Sequence, residues 1–245
     1  MKRRVLFSFA TVGIGLVLTG CLNVSQPRVT PEHRQLKNRA AVVVLVDPVP
    51  RLNHIALQPT RSTHGRAEVA GWDARAAIAP YLAGRLAGMG MTVVPFTYDP
   101  AEFTALYASS QAYPNPQLIR ARIRELATAQ QVDMVVSVYR QIERDYVGES
   151  IESLVGYGLV RHESGGAQAF GCVRVEAYDV ASDAVIGYAD GCKNGPLPPD
   201  TWQDGWASDD TVPIDEPTAT TVIAAMTRVL QAAVLTAAQE TGLSH

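Results

Sequence analysis

The sequence has few cysteines and very few lysines. Cys21, Cys172 and Cys192 are its three cysteines, and lysine numbers 3 against 18 arginines. No two cysteines stand in a Cys-x-x-Cys spacing and no histidine lies near Cys172 or Cys192, which argues against the common redox and zinc motifs. The arginine excess, together with abundant alanine, reads as genome base composition rather than as an arginine-built site. No apolar run leads into Gly-x-Gly-x-x-Gly, so a nucleotide or dinucleotide cofactor has no support. Internal repeats and low-complexity tracts are missing. An excess of positive charge is missing as well: 21 basic side chains face 24 acidic ones. Without Lys2, Arg3 and Arg4 the balance is 18 to 24, a net charge near -6. That argues against nucleic acid and against an anionic membrane surface as main partners.

What is present begins with an address. Lys2, Arg3 and Arg4 precede an apolar run over residues 5–18, and Leu18-Thr19-Gly20-Cys21 closes it. A basic start, a short apolar run and small residues make a secretory signal, too short to span a bilayer comfortably. The last four residues resemble the lipobox of bacterial lipoproteins. The resemblance implies cleavage before Cys21, diacylation of its thiol and acylation of the new amino group, with no other cofactor. Two or more acyl chains anchor stably where one is marginal. By the same resemblance Leu22, in place of an aspartate, implies the outer membrane with the protein facing the periplasm. Residues 1–20 are thus the signal peptide. Residues 21–39 read as the lipidated cysteine and a flexible tether with a reach of roughly 60 Å. Residues 40–245 form one domain, long enough for a proper core.

Within that domain the periodicities predict an α/β fold with a mixed sheet: a βαβαβ core, an antiparallel hairpin and a long C-terminal helix. Residues 40–46 are continuously apolar and β-branched, as in a strand buried on both faces, and Asp47-Pro48 ends them. Residues 51–71 carry few signals beyond an extended piece at 54–58. A helix over 72–89 takes Asp73 as N-cap and lays Ile78, Leu82, Leu86 and Met89 on one stripe, with Pro80 starting, kinking or splitting it. Strands follow at 91–96 and 132–138, separated by a loop at 99–116 and a helix opened by Asn115-Pro116. This order implies a parallel core with right-handed crossovers. Residues 139–160 supply one or two antiparallel strands, 193–217 form a loop, and a helix over 218–241 buries Val222, Met226, Val229, Leu230, Ala233 and Ala237.

The two remaining cysteines fall on a hairpin, residues 172–178 and 185–192. Centred on Ser182, it sets Cys172 opposite Cys192, Arg174 opposite Asp190 and Val175 opposite Ala189. This register favours a structural disulfide in an exported compartment over a redox or metal pair. The opposite face carries Val173, Val175 and Ala177 against Gly187, Ala189 and Gly191, small enough for a helix to lie close.

The order of these elements resembles the mixed α/β domain of the TolB amino terminus, the curli-secretion lipoproteins and the lipoprotein activators of penicillin-binding proteins. The segments that carry it are the strand ending in Asp47-Pro48, Met91-Thr92-Val93-Val94-Pro95-Phe96, the approach Ala129-Gln130-Gln131-Val132-Asp133 into the third strand, the hairpin from Val175 to Ala189, and the alanine-rich last helix. It implies an envelope lipoprotein that acts by binding other proteins, and transfers no catalytic residue.

A search for chemistry leaves an enzyme without support. Gly148-Glu149-Ser150-Ile151-Glu152 starts like a nucleophile elbow, but Glu152 replaces the closing glycine. His162-Glu163 lacks the second histidine of a zinc helix, and His54, His64 and Asp47 match no metal spacing. Gly156-Tyr157-Gly158 reads as strand glycine. Aromatics in the polar loops remain: Tyr98, Phe103, Tyr107 and Tyr113 in one, Trp202 and Trp206 in the other. Two readings stay open for them, an interface for a partner and packing of the loops onto the domain. The expectation is a non-enzymatic protein-binding or assembly factor, with Tyr107, Tyr113, Trp202 and Trp206 as candidate contacts. Self-association into a secretion-type ring is the second expectation. It needs barrel-forming strands, and residues 139–160 carry too much charge for a lipid face.

Overall fold

The computed structural model describes residues 26–108, 116–147, 150–163 and 165–245. The expectation of a parallel core holds. Strands β1 (Arg39–Leu45) and β5 (Met134–Arg140) run parallel, and β4 (Thr92–Val93) runs parallel to β1 on its other side. Helix α2 (Ala74–Gly88) links β1 toward β4; α3 (Pro100–Ala108) and α4 (Pro116–Ala129) lead to β5. Strand β4 is shorter than the apolar run predicts because Pro95 has no N–H for the ladder. The chain keeps its line one residue further, where the Val94 N–H donates to Ala40 O (2.9 Å). The Asp73 carboxylate accepts the Arg75 N–H (2.9 Å) as N-cap of α2, and Pro80 lies inside the helix.

One long strand organises the rest. Strand β9 (Ala167–Asp179) carries β10 (Ala184–Pro196) along one whole edge. Its other edge is shared: β5 pairs with residues 173–179 and β8 (Tyr157–His162) with residues 167–171. Strands β5 and β8 are therefore two halves of one line, interrupted by the hairpin of β6 (Ile142–Val147) and β7 (Ser150–Val155), which forms its own two-stranded sheet. Cys172 marks the break: its N–H donates to Gly156 O (2.6 Å) and its O accepts from Gln141 N–H (3.0 Å). The next line repeats the jog, with β1 continued by β2 (Arg51–Ile55), which pairs with β8. Strand β3 (Thr63–Glu68) and the short β11 (Thr211–Pro213) complete that side. The region 51–71, weak in sequence, is thus a hairpin, and residues 139–160 supply three strands.

The hairpin register matches expectation: Cys172 faces Cys192, Arg174 faces Asp190 and Val175 faces Ala189. A bulge between Val185 and Gly187 produces it, by adding one residue to the turn-side pairing of Val185 with Tyr178. Cys172 and Cys192 form a disulfide. Helix α5 (Glu216–Thr241) lies across β9 and β10 on the face of Val173, Val175 and Gly191, burying the predicted stripe. It is long and apolar enough to cross a membrane, yet its apolar stripe packs into the core. A Cβ on Gly191 would come within 2.1 Å of Ala233 O, so the helix backbone rests directly on the glycine. Helices α3 and α4 cover the other face over β1 and β5, around Phe103, Ile119 and Ile123. Helix α3 replaces the expected loop. Its signals were Asp99, whose carboxylate accepts the Ala101 N–H (2.8 Å), and Pro100 at the first helical position.

The tether is corrected in its second half. Pro31–Leu36 form a short helix, α1, and Val29 is 3% exposed. The Val29 N–H donates to Thr241 O (2.8 Å) and the Tyr188 N–H to Pro27 O (3.3 Å). Arg28 donates to Gln239 O (2.8 Å) and Arg34 to Gly242 O (2.7 Å), satisfying carbonyls at the end of α5. Gly242 caps that helix at φ +84°, and a Cβ there would meet Val29 O at 2.5 Å. Polar sequence with two prolines concealed this because Val29 is the one buried apolar side chain of the attachment and hydrogen bonds make the rest.

Candidate functional site

The side chains of β9 alternate. Val173, Val175 and Ala177 face α5, so Arg174, Glu176 and Tyr178 face the side of α4. On β10 the same alternation sends Tyr188 and Asp190 to that side. Helix α4 covers β5 and part of β9 but stops short of β10, which leaves a groove. Its upper part, about 260 Å³, is lined by Pro116, Ile119, Arg120, Tyr139, Arg174 and Glu176. Its lower part, about 740 Å³, runs between α4 and the β9–β10 turn past Arg124, Tyr178, Asp183 and Val185. Arg120 borders both.

Three arginine–carboxylate pairs line the groove. Arg120 Nε and Nη2 donate to the two Glu176 carboxylate oxygens at 2.9 and 2.6 Å. Arg174 does the same to Asp190 at 2.6 and 2.9 Å, and its guanidinium stands 5.2 Å from the Tyr188 ring centroid. Arg124 Nη1 donates to Asp183 at 2.6 Å, and the Tyr178 hydroxyl also donates to Asp183. Glu176 is 4% exposed, so Arg120 holds a buried charge. Burial pushes the Asp190 carboxyl up, but hydrogen bonds from Arg174 and Gln141 outweigh it and hold the carboxyl below its ordinary value. Burial and the contact with Asp183 push the Tyr178 phenol up to about 12. Glu176 and Tyr178 are buried, but Arg120, Arg124, Arg174 and Tyr188 keep part of their surface, and arginines and aromatics carry most of the binding energy in protein recognition.

Of the predicted contact residues, Trp202 and Trp206 lie in the core. Trp202 and Trp206 are 8% and 1% exposed and meet edge to face at 5.5 Å. They join the core with Ile214 and Val222. The packing reading therefore describes them, because their loop turns its indoles inward. Tyr107 lies in the last turn of α3, but its side chain lies outside the described residues, as do Tyr113 and Cys21. Phe103 is core, and the Tyr98 hydroxyl donates to Val44 O (3.2 Å). Asp47 fills the jog between β1 and β2: its carboxylate accepts Arg140 (2.9 Å) and Arg51 (3.4 Å), and its O accepts the Tyr157 hydroxyl (2.8 Å). Gly158 is needed there because a Cβ would lie 2.0 Å from Arg51 O. His64 Nδ1 lies 3.2 Å from Asn53 Oδ1. Among the described residues no three His, Cys, Asp or Glu side chains form a metal cluster. Of the elbow-like segment, Gly148 and Glu149 lie outside the described residues.

Arg120, Arg124, Tyr178 and Tyr188 escaped sequence reasoning. Their signals were an arginine pair four residues apart on one helix face and the alternation Arg174, Glu176, Tyr178 on a strand.

No protein-family model and no curated protein matches the chain. Solved structures do. The hypothetical protein CT253 from Chlamydia trachomatis is 15% identical with a TM-score of 0.41, covering 84% of this chain and 98% of its own. The PelC dodecamer from Paraburkholderia phytofirmans is 16% identical with a TM-score of 0.32, covering 90% and 96%. Lipoprotein GNA1162 from Neisseria meningitidis is 9% identical with a TM-score of 0.31, covering 64% and 83%. Likenesses this distant assign no function to the chain.

Proposed function

We propose that the protein is an outer-membrane lipoprotein, anchored through acylated Cys21 and facing the periplasm, whose domain binds an envelope protein in the groove beside α4. The observation that carries the binding reading is the group of partly exposed side chains, Arg120, Arg124, Arg174 and Tyr188, gathered on one side of β9 and β10 beside α4. The lipobox-like Leu18-Thr19-Gly20-Cys21 supports the anchor. The domain acts as an adapter and not as an enzyme. Arg124 and Tyr188 are the residues to test, since Arg124 is exposed, Tyr188 is half-buried and neither neutralises a buried charge as Arg120 does.

Affinity capture of the tagged, lipidated protein from its own envelope, followed by mass spectrometry, tests this. One reproducible partner is expected, lost in Arg124→Glu and Tyr188→Ala at unchanged thermal stability. Equal capture by both variants excludes the groove. Capture of the chain by itself replaces the adapter with a self-assembling protein.

A further inference from the structure

The docked amino-terminal segment fixes more than the fold. From Pro27 onward the chain is held against the outer edge of β10 and the end of α5, through Tyr188, Thr241 and Gly242. Only residues 22–26 separate Pro27 from Cys21. Six residue steps span at most about 22 Å at 3.3–3.6 Å each. On the lipoprotein reading above, on which this inference rests, the β10 edge is therefore leashed close to the bilayer. The opposite side of the sheet lies five strand spacings away, from β10 through β9, β8, β2 and β3 to β11, or about 24 Å at 4.8 Å each.

Charge orients the domain in the same sense. Acidic residues gather in one stretch of the sequence. Between Lys193 and Arg228 there is no basic residue, and Asp200, Asp204, Asp209, Asp210, Asp215 and Glu216 all fall in that stretch. Asp209 and Asp210 are exposed directly before β11, and Asp204 pairs with Arg161 of β8. Arg28 and Lys193 are exposed along the leashed side. Anionic headgroups attract the second set and repel the first, over about a Debye length.

We infer that the outer edge of β10 is a membrane-apposed surface, resting against lipid headgroups, with the acidic β11 side turned away. The groove opens beside β10, so a partner must reach it at the membrane surface; the domain does not swing out on a long tether.

The test uses the full lipidated protein in vesicles of phosphatidylethanolamine and phosphatidylglycerol carrying a headgroup quencher. Cys21 is acylated and Cys172 and Cys192 are bonded, so an introduced cysteine alone takes a fluorescent label. The expected result is several-fold stronger quenching at Asn194→Cys than at Thr211→Cys, reduced when a flexible Gly-Ser segment is inserted after Ser25. Flotation with the vesicles but equal quenching at the two positions overturns the orientation and leaves the anchor standing. Failure to float, with an unmodified Cys21 by mass spectrometry, overturns the anchor and the orientation together.

Discussion

Replacing Gly191 by alanine adds one methyl group where the backbone of α5 rests on the hairpin. The new Cβ would stand 2.1 Å from Ala233 O and 3.1 Å from Ala237 N, both backbone atoms of α5. Normal contact needs more than 3 Å, so the helix must retreat by about 1 Å. That retreat loosens Leu230, Ala233, Val234 and Ala237, all fully buried on the same stripe. Overpacking a close-packed core costs about 1 to 3 kcal/mol, and a clash with helix backbone belongs at the upper end. For a domain of this size about 3 kcal/mol lowers Tm by roughly 6 to 12 °C. Gly84→Ala is the control of opposite sign. Gly84 sits inside α2 with nothing within 4 Å of its Cβ position. Alanine there relieves the glycine penalty and stabilises by about 0.5 to 1 kcal/mol. Urea unfolding of both variants reads the two signs directly. A neutral Gly191→Ala would refute the close seating of α5 on the hairpin.

Trp206→Ala removes a fully buried indole and is expected to cost about 3 to 5 kcal/mol by calorimetry. Reducing the Cys172–Cys192 bond, which closes a loop of 20 residues, is expected to cost about 3 kcal/mol on the chain-entropy scale, read as a shift in the urea midpoint. Arg120→Ala leaves the Glu176 carboxylate buried without its partner and is expected to cost roughly 2 to 3 kcal/mol, somewhat below a fully enclosed pair because Arg120 is a third exposed; Arg120→Met with Glu176→Leu recovers most of it in a double-mutant cycle. The Asp179 carboxyl is pushed up by burial but held lower overall by hydrogen bonds from Ser182, Lys37 and the Ala181 N–H. A depressed folded pKa stabilises above the unfolded value, near 4, and that stability is lost as pH falls through the folded value. Asp179→Asn should therefore flatten the acid limb of stability measured between pH 5 and about 2.

Much of the fold was legible because its signals are local. The βαβαβ order followed from apolar runs and helix stripes, and the hairpin register from one turn residue and two cysteines. The stripe of α5 was readable residue by residue, down to Gly242 as its cap. The parts that were missed depend on contacts remote in sequence. Strands β2 and β3 carry polar and histidine residues, and it is pairing with β8 and β11, distant in sequence, that makes them strands. Helix α3 is short, and the segment before α1 docks through Val29 and hydrogen bonds to the end of α5. The site was hidden for the same reason. Arg120 and Arg124 look like composition until β9 brings Glu176 and the turn brings Asp183. Trp202 and Trp206 look like surface until the loop closes over them.

Site-specific photo-cross-linking in living cells, with the reactive residue at Tyr188, beside Arg174 on the groove side of β10, and separately at Thr211 on the far side, decides whether a partner docks there. One defined envelope protein joined from Tyr188, and none from Thr211, is the expected result. The same product from both positions, or a product from Thr211 alone, would contradict it.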